Sequence, residues 1–276
     1  KKKLNIVILG ANSAIGYYLA KKFYKENNNI LLSGNNNNKF NNLKKKFPKQ
    51  SLQETYFDQL DITKNEKVLL FIKKNRKFLK KADLIVNANG DQGEIDNFFK
   101  LNFRDFKRTF DVNFFSHVYF LSQLRKFIGK NKKKLFIVFS GGGATSKRSN
   151  FSSYSISKIA LVKLVEILSY EFNNKNIRIN AIAPGIINSH MTQKSLKTKN
   201  KISLKEIVKI KKELKVSDKS LHKIYLLINF LMSKNGESIS GKLISSRWDK
   251  FTKWNKIKIK KIISSDIYTM RRRYNF

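Results

Sequence analysis

The sequence predicts a single-domain doubly wound α/β fold, a Rossmann-like parallel sheet of about seven strands with helices on both faces. Short apolar runs alternate with longer amphipathic segments along most of the chain. Most of these runs are continuously apolar, as expected for strands that are covered on both faces. Glycines and small polar residues follow several of them, at the strand ends where such sheets bind ligands.

The seven apolar runs are the predicted strands, and most of them are separated by a segment of helical length. The strands are Ile6–Leu9, Ile30–Leu32, Gln53–Phe57, Leu84–Asn87, Phe136–Phe139, Ile177–Ala183 and Lys242–Ser245. The predicted helices are Ile15–Glu26, Lys39–Phe47, Lys64–Lys80, Arg104–Ile128, Tyr154–Phe172 and Lys219–Met232. Regular alternation of this kind is typical of a parallel sheet with helical crossovers.

The predicted sheet ends close to residue 247, so we expect one domain over residues 1–247. A C-terminal extension, residues 248–276, is basic and aromatic, and we expect it to dock on its own subunit or on a partner. Residues 186–217, which follow the sixth strand, are long, polar and rich in lysine. We expect them to form a lid over the substrate site.

The composition excludes several kinds of site. The chain has no cysteine, which rules out disulfides, thiolate metal sites and a cysteine nucleophile. Its three histidines, His117, His190 and His222, are widely separated, so we expect no metal site. No stretch is long enough to span a bilayer, and the apolar run Ile6–Leu9 is too short for a signal peptide. We therefore expect a cytoplasmic protein without a membrane span.

The formal charge of +39, from 58 Lys and Arg against 19 Asp and Glu, has two interpretations. Such an excess attracts polyanions, including nucleic acids. We favour a solvated surface shaped by coding bias, because the abundant Lys, Asn, Ile and Phe all have codons rich in A and T. The basic residues are also spread along the whole chain, so we expect no specific nucleic-acid partner.

The residues that follow the predicted strands suggest a dinucleotide site. The segment GANSAIG, residues 10–16, follows the first strand, where glycine permits a tight turn and a helix N-terminus stabilises a pyrophosphate. Asp61 follows the third strand, and NANG, residues 87–90, follows the fourth. Ser140 and three glycines follow the fifth strand, and Pro184–Gly185 follows the sixth. In an open α/β sheet these positions meet at one edge.

In the order and spacing of these motifs the chain resembles the short-chain dehydrogenase/reductase family, in its shorter oxidoreductase branch. The family's TGxxxGxG corresponds to LGANSAIG, its NNAG to NANG, its catalytic Asn to Asn113, its catalytic Ser to Ser140, its YxxxK to Tyr154 and Lys158, and its PGxxxT to PGIINS. One YxxxK means little in a lysine-rich chain, whereas six elements in the right order are specific. The chain departs from the pattern at Leu9, Ala14, Asn89 and Ser189, which leaves room for an inactive homologue.

The resemblance implies a catalytic tetrad of Asn113, Ser140, Tyr154 and Lys158. It implies that Tyr154 is the acid/base, that Lys158 also binds the nicotinamide ribose, and that Asn113 places a water. The residue chemistry is compatible with this assignment. A tyrosine has an ordinary pKa of about 10, a nearby ammonium favours the phenolate, and residues four apart share one face of a helix. Ser140 would hold the substrate oxygen.

The resemblance also implies a nicotinamide cofactor. The expected binding residues are Gly10, Asn12, Ser13, Ile15, Gly16, Asn35, Asp61, Ile62, Asn87, Ala88, Gly90, Tyr154, Lys158, Pro184, Gly185 and Ile187. An acid after the second strand would select NAD. None stands there; Asn35 occupies the place where NADP-dependent relatives often carry Arg, and Lys39 is near in sequence. We therefore expect NADP(H) rather than NAD(H).

The expected function is hydride transfer between the nicotinamide and a carbonyl or secondary alcohol. The substrate is not readable, although the tail resembles that of bacterial members linked to surface-polysaccharide assembly. Two alternatives stay open: a nucleotide-sugar epimerase or dehydratase, and a degenerate family member that binds polyanions. The helix of Tyr154 continues with a wide apolar face, which relatives pair between subunits, so we expect a homodimer or homotetramer.

Overall fold

The computed structural model describes residues 3–35, 37–48, 53–125, 133–172 and 176–271. Its seven strands form one parallel sheet in the order β3-β2-β1-β4-β5-β6-β7. They are β1 (Asn5–Leu9), β2 (Asn29–Gly34), β3 (Thr55–Gln59), β4 (Leu84–Asn87), β5 (Lys134–Phe139), β6 (Ile177–Ala183) and β7 (Leu243–Ser245). The strand order reverses between β1 and β4, which creates the crevice where such sheets bind ligands. The predicted fold class is confirmed.

Helices cover both faces of the sheet. They are α1 (Ala14–Lys25), α2 (Asn37–Lys45), α3 (Asn65–Lys74), α4 (Arg76–Lys81), α5 (Phe103–Phe110), α6 (Ser116–Leu124), α7 (Ser152–Glu171), α8 (His190–Lys197), α9 (Leu204–Leu214), α10 (Ser217–Met232) and α11 (Lys256–Ile263). In β1, Ile6 and Ile8 pack with α1, α2, α10 and α11, whereas Val7 and Leu9 pack with α3, α4, α6 and α7. This burial on both faces explains why the strands are continuously apolar.

Most predicted elements begin or end one to two residues away from the observed bounds, and two predicted helices are interrupted. The third strand is Thr55–Gln59, because its polar end pairs with β2 at the sheet edge, and the seventh begins one residue later than predicted. The predicted helix Lys64–Lys80 is two helices, interrupted at Asn75, whose amide donates to Phe71 O and to Asp58. Side-chain bonds of this kind compete with helix continuation.

The predicted helix Arg104–Ile128 is also interrupted. Between α5 and α6 the chain forms a π-helical turn, residues 111–115, which contains Asn113. Such turns inside α-helices frequently occur at functional sites. The last predicted residues of this helix, 126–128, lie outside the described residues.

Lys134 is a fully buried cation at the start of β5. Its Nζ donates to three main-chain carbonyls at the end of α4, those of Leu79, Lys80 and Ala82, at 3.3, 2.7 and 2.9 Å. Carbonyls at the end of a helix lack the usual partner four residues later, although Leu79 O also accepts from the Ala82 amide at 3.3 Å. The buried ammonium therefore caps α4 and ties it to the sheet.

The C-terminal extension packs on its own chain. Trp254 lies against Phe230 of α10 and stacks on Tyr268, with ring centroids 5.8 and 5.3 Å away. The amide of Leu243 in β7 donates to Tyr268 O at 2.8 Å, and the amide of Ser245 donates to the carboxylate of Asp249 at 2.7 Å. Residues 272–276 lie outside the described part of the chain.

Two kinds of feature are absent from the described part of the chain. None of the helices there is long and apolar enough to cross a membrane. The same residues contain no group of three or more His, Asp or Glu side chains that could hold a metal ion.

Candidate active site

The turn after β1 is built around two glycines. Gly10 has φ +75°, and a Cβ there would lie 2.9 Å from Asn89 Oδ1. A Cβ on Gly16 would overlap Gly10 O and lie 2.9 Å from Ala11 Cα. Ser13 caps α1 by accepting a hydrogen bond from the Gly16 amide at 3.0 Å. The turn and the N-terminus of α1 are therefore packed too tightly for side chains at either glycine.

A cleft of about 240 Å³ opens beside this turn, along the carboxyl ends of the strands. Its lining residues are Gly10, Asn12, Ser13, Asn35, Lys39, Asp61, Ile62, Thr63, Ala88, Asn89, Gly90 and Val112. Eight of the lining residues were predicted to bind the cofactor, and they lie in the loops after β1, β2, β3 and β4. Thr63, Asn89 and Val112 were not predicted. Thr63 lies there because its amide and hydroxyl both donate to Asp61, at 3.0 and 2.7 Å.

The other predicted cofactor residues are not among those that line this cleft. Asn87 is buried, and its Oδ1 accepts from the amide and the side chain of Asn89, at 3.1 and 2.9 Å. Gly185 has φ +76°, and a Cβ there would lie 3.3 Å from Arg247 Cδ. Ile15 and Ile187 pack in the core, and Pro184 is buried. A role in cofactor binding stays a prediction for these residues.

Asn113 is completely buried and fixes the loop after β4. Its Nδ2 donates to Asp91 O and to Ser157 Oγ, at 2.7 and 3.0 Å, and its Oδ1 accepts from the Asp91 amide at 2.8 Å. The π-helical turn thus places this amide between the loop and α7. All these bonds leave the Asn113 side chain in one fixed orientation.

Lys158 is buried next to the same point. Its Nζ donates to Phe139 O at 2.9 Å, and burial lowers the pKa of this ammonium to about 8. A Cβ on Gly90 would lie 3.5 Å from both Lys158 Nζ and Asn113 Oδ1. Because Gly90 also lines the cleft, the cleft leads directly to these two side chains.

Tyr154 and Ser140 complete the predicted tetrad. Tyr154 is half-buried, and Lys158 Nζ lies 5.9 Å from the centre of its ring. Burial raises the pKa of the Tyr154 phenol, and the positive charge of Arg148 opposes this rise. Ser140 Oγ is buried and has no hydrogen-bond partner among the described residues. A buried hydroxyl without a partner is costly, and it is expected where a ligand supplies the missing bond.

The three glycines after Ser140 differ in how much space a side chain would have. A Cβ on Gly141 would overlap the hydroxyl of Tyr154 and lie 3.0 Å from its Cζ, and one on Gly143 would lie 3.1 Å from Ser155 Cβ. A Cβ on Gly142 would meet nothing closer than Ser146 Oγ, at 4.0 Å. Two of the three glycines therefore allow this loop to lie against α7, and Gly142 has open space.

The predicted lid, residues 186–217, contains α8 and α9 and is docked on two strand-end loops. Lys194 Nζ donates to Gly93 O at 2.7 Å, and Lys201 forms an ion pair with Asp96 at 2.6 Å, both in the loop after β4. Glu206 of α9 pairs with Arg148 in the loop after β5, at 2.8 Å. The lid is thus held over the carboxyl edge of the sheet.

Sequence reasoning missed two charged or titratable groups near the tetrad. Arg148 is far from Glu206 in sequence, so nothing in the local pattern indicated their pairing. His117 lies one helical turn after Asn113, is 1% exposed, and has its pKa lowered to about 3 by burial and by the charge of Lys158. Because residues one helical turn apart lie on the same side of a helix, the spacing from Asn113 could have indicated that His117 lies near the site.

A family model described as short chain dehydrogenase matches residues 4–200. The 7alpha-hydroxysteroid dehydrogenase of Escherichia coli is 33% identical over 109 residues, which are 40% of this chain and only 42% of that protein. The 3-oxoacyl-acyl-carrier-protein reductase FabG of Buchnera aphidicola is 27% identical over 86% of this chain and 93% of its own.

Solved structures show the same fold. ElxO with NADP bound has a TM-score of 0.72 at 23% identity, over 88% of this chain and 97% of that chain. A short chain dehydrogenase from Shigella flexneri, complexed with NADP, has a TM-score of 0.75 at 18% identity, over 88% and 98% of the two chains.

Proposed function

Because the chain belongs to the short-chain dehydrogenase family, we propose that it transfers a hydride between a nicotinamide cofactor and a carbonyl or secondary alcohol, with Tyr154 as the acid or base. The observation that carries this proposal is the convergence of a glycine-walled cleft on Lys158 and Asn113, next to Tyr154 and the unpartnered hydroxyl of Ser140. The departures at Leu9, Ala14 and Ser189 leave these groups unchanged.

The residues present fit a dinucleotide. Gly10 and Gly16 let the turn pack closely against the N-terminus of α1, and a helix N-terminus stabilises a pyrophosphate. Asn12, Asn35, Asp61 and the other cleft-lining residues would hold the remainder. When bound, the nicotinamide supplies the hydride chemistry, and the protein supplies orientation and proton transfer.

The protein's own side chains would bind the substrate oxygen, transfer its proton and position the loops around it. Ser140 Oγ would donate to the substrate oxygen, and the hydroxyl of Tyr154 would give that oxygen its proton in reduction or take it in oxidation. While it is charged, below its pKa of about 8, the ammonium of Lys158 favours the phenolate form of Tyr154. Asn113 holds the loop after β4 in place, and the lid excludes water from the reaction.

We propose NADP(H) as the cofactor in preference to NAD(H). Asn35 and Lys39 both line the cleft, and the only acid in the lining, Asp61, is engaged by Thr63. A cationic side chain beside the second strand's end favours the additional phosphate of NADP. The two solved relatives described above were studied with NADP, which supports this choice.

The substrate class is proposed from the relatives. The FabG of Buchnera aphidicola is similar over most of both chains, so a 3-oxoacyl thioester is the first candidate; a hydroxysteroid is the second. A place in surface-polysaccharide or other metabolite synthesis, and a cytoplasmic location, stay predictions.

Binding and turnover test the proposal. NADPH and NADH are titrated against the purified chain in parallel with a DNA duplex, and oxidation of NADPH is followed with a 3-oxoacyl thioester. Saturable micromolar NADPH binding, with DNA binding that salt abolishes, supports the enzyme. A chain that binds no dinucleotide contradicts it, and salt-resistant DNA binding would favour a degenerate polyanion-binding relative.

We also propose that α5, the π-helical turn and α7 pair two subunits. Large apolar side chains are exposed along this face, including Phe103, Phe115 and Ile156, which are 75, 54 and 47% exposed. A contiguous apolar surface of this kind is typical of a protein interface. A homodimer would use this face once, and a homotetramer requires a second interface.

A further inference from the structure

Arg148 places a second positive charge beside Tyr154. It lies in the loop between β5 and α7, with its guanidinium carbon 3.7 Å from the ring centre of Phe151 and 5.9 Å from that of Tyr154. Its side chain is 17% exposed, and its Nε is buried without a hydrogen-bond partner among the described residues. A charge in such a dry position acts on its neighbours more strongly than one in water.

The lid supplies a counter-charge to this arginine. Arg148 Nη2 donates to Glu206 Oε1 of α9 at 2.8 Å, and the Glu206 side chain is 20% exposed. Glu206 therefore offsets part of the positive charge at Tyr154 while the lid is docked. Withdrawal of α9 would leave the guanidinium next to the phenol without this carboxylate.

Of the described titratable groups near Tyr154, Arg148 is the one that stays positively charged at the pH where the phenol ionises. Lys158, on the same helix, has its pKa lowered to about 8, so it loses its charge before a buried phenol ionises. His117 on α6, close to Lys158, is neutral because its pKa is lowered to about 3. An arginine keeps its charge at any pH at which the protein is folded.

We propose that Arg148 is a positioning residue that stabilises the phenolate of Tyr154, and that Glu206 moderates this effect when the lid is docked. This inference deepens the proposed role of Tyr154 and rests on it. In chemical terms, lid docking would adjust how readily the acid/base exchanges its proton. A substrate that closes the lid would thereby change the proton affinity of the tyrosine that acts on it.

A purely structural role for the pair makes a different prediction. If Arg148 and Glu206 only fasten the lid, loss of either side chain breaks the same ion pair and has the same effect. If they act through charge, the two losses have opposite effects on Tyr154. Neutralising Arg148 removes the cation, whereas neutralising Glu206 leaves the cation without its counter-charge.

The test is a spectrophotometric titration of Tyr154 in the protein without cofactor or substrate. Tyrosinate absorbance is measured against pH for each protein and for the same protein with Tyr154→Phe, so that their difference isolates Tyr154. Circular dichroism at each pH verifies that the chain is folded. Arg148→Gln is expected to raise the midpoint by about one pH unit, and Glu206→Gln to lower it. Arg148→Lys, which keeps a charge, is expected to restore most of the shift.

Shifts of the same sign in Arg148→Gln and Glu206→Gln would overturn the proposal, and so would an unchanged midpoint in both. If Arg148→Gln does not fold, Lys201→Gln replaces it, because it breaks a different contact of the lid, the ion pair with Asp96. A lid fastener then predicts the same shift in Lys201→Gln as in Glu206→Gln, whereas the charge role predicts the downward shift in Glu206→Gln alone. The titration needs no turnover. A chain that fails to reduce any substrate but shows opposite shifts would therefore contradict the proposed function and not the electrostatic role.

Discussion

Gly141 lies directly against the hydroxyl of Tyr154, and a Cβ at this glycine would come within 3.0 Å of Cζ and overlap the phenol oxygen. The first residue after Ser140 therefore determines where the proposed acid/base can sit. This contact joins the loop after β5 to α7 at the point where both contribute a reactive side chain. It also explains a glycine that no turn or positive φ requires.

Gly141→Ala is expected to displace the Tyr154 hydroxyl and lower kcat by about 10²-fold, because small misplacements of a catalytic group are costly. Gly142→Ala is the matched control, since its Cβ would have open space. Steady-state kinetics of both variants check the prediction. Equal losses in the two variants would show that the loop, and not the tyrosine contact, is sensitive.

Tyr154→Phe is expected to lower kcat by about 10²- to 10⁴-fold, the usual contribution of general acid/base catalysis. NADPH affinity, followed by fluorescence, should stay close to that of the unsubstituted chain. Tyr170→Phe, on the exposed face of the same helix, serves as the control and should have full activity. Full turnover by Tyr154→Phe would exclude the proposed mechanism.

Acid should destabilise the fold through His117. Its folded pKa is about 3 and its unfolded value about 6.5, so between these values the unfolded chain binds more protons and the free energy of unfolding falls as pH falls. The contribution is at most about 1.4 kcal/mol per pH unit.

Urea unfolding between pH 6.5 and 4 tests this, with His117→Leu compared to the unsubstituted protein. The variant should show the shallower dependence of stability on pH. His190→Gln, at an exposed position of the lid, is the control and should keep the original slope. An unchanged slope in His117→Leu would refute the assignment.

Lys134→Met should lower the free energy of unfolding by about 2–3 kcal/mol, because it leaves buried carbonyls at the end of α4 without their donor. Its neighbour Lys133 is exposed and pairs with Glu237 at 3.1 Å, so Lys133→Met should cost about 1 kcal/mol or less. Denaturant unfolding of the two variants separates these effects. Similar costs would mean that the Lys134 ammonium does not cap the helix.

A double substitution of Phe103→Asp and Ile156→Asp should dissociate the proposed subunit pair, because two charges would be buried in an apolar interface. Light scattering with size-exclusion chromatography reports the mass. Leu70→Asp, at an exposed apolar position of α3, should leave the assembly unchanged. An unsubstituted chain that is already monomeric would rule the interface out.

The sequence was sufficient for the fold because its signals are local. Val7 and Leu9 pack on one face of β1 while Ile6 and Ile8 pack on the other. A continuous run of apolar residues in the sequence indicates a strand that is buried on both faces in this way. The helix break at Asn75 was missed, because it depends on a side-chain bond to Asp58 in a different element. The π-helical turn at Asn113 has no pattern of its own in the sequence.

For the site, the motifs located the candidate residues along the chain but could not supply distances. That Gly141 contacts Tyr154, and that Gly142 contacts nothing close, is a matter of how the loop lies on α7. The pairing of Arg148 with Glu206 joins a strand-end loop to the lid. Such long-range partners follow from tertiary packing and are not visible in local periodicity.

The tail that follows β7 has a consequence for how copies of this protein can meet. An open sheet with a bare outer strand invites strand addition by another chain, which leads to aggregation. Here the amides of Leu243 and Ser245 already have acceptors in Tyr268 and Asp249 of the same chain. The extension therefore occupies two backbone donors of the last strand, which hinders strand addition by another chain.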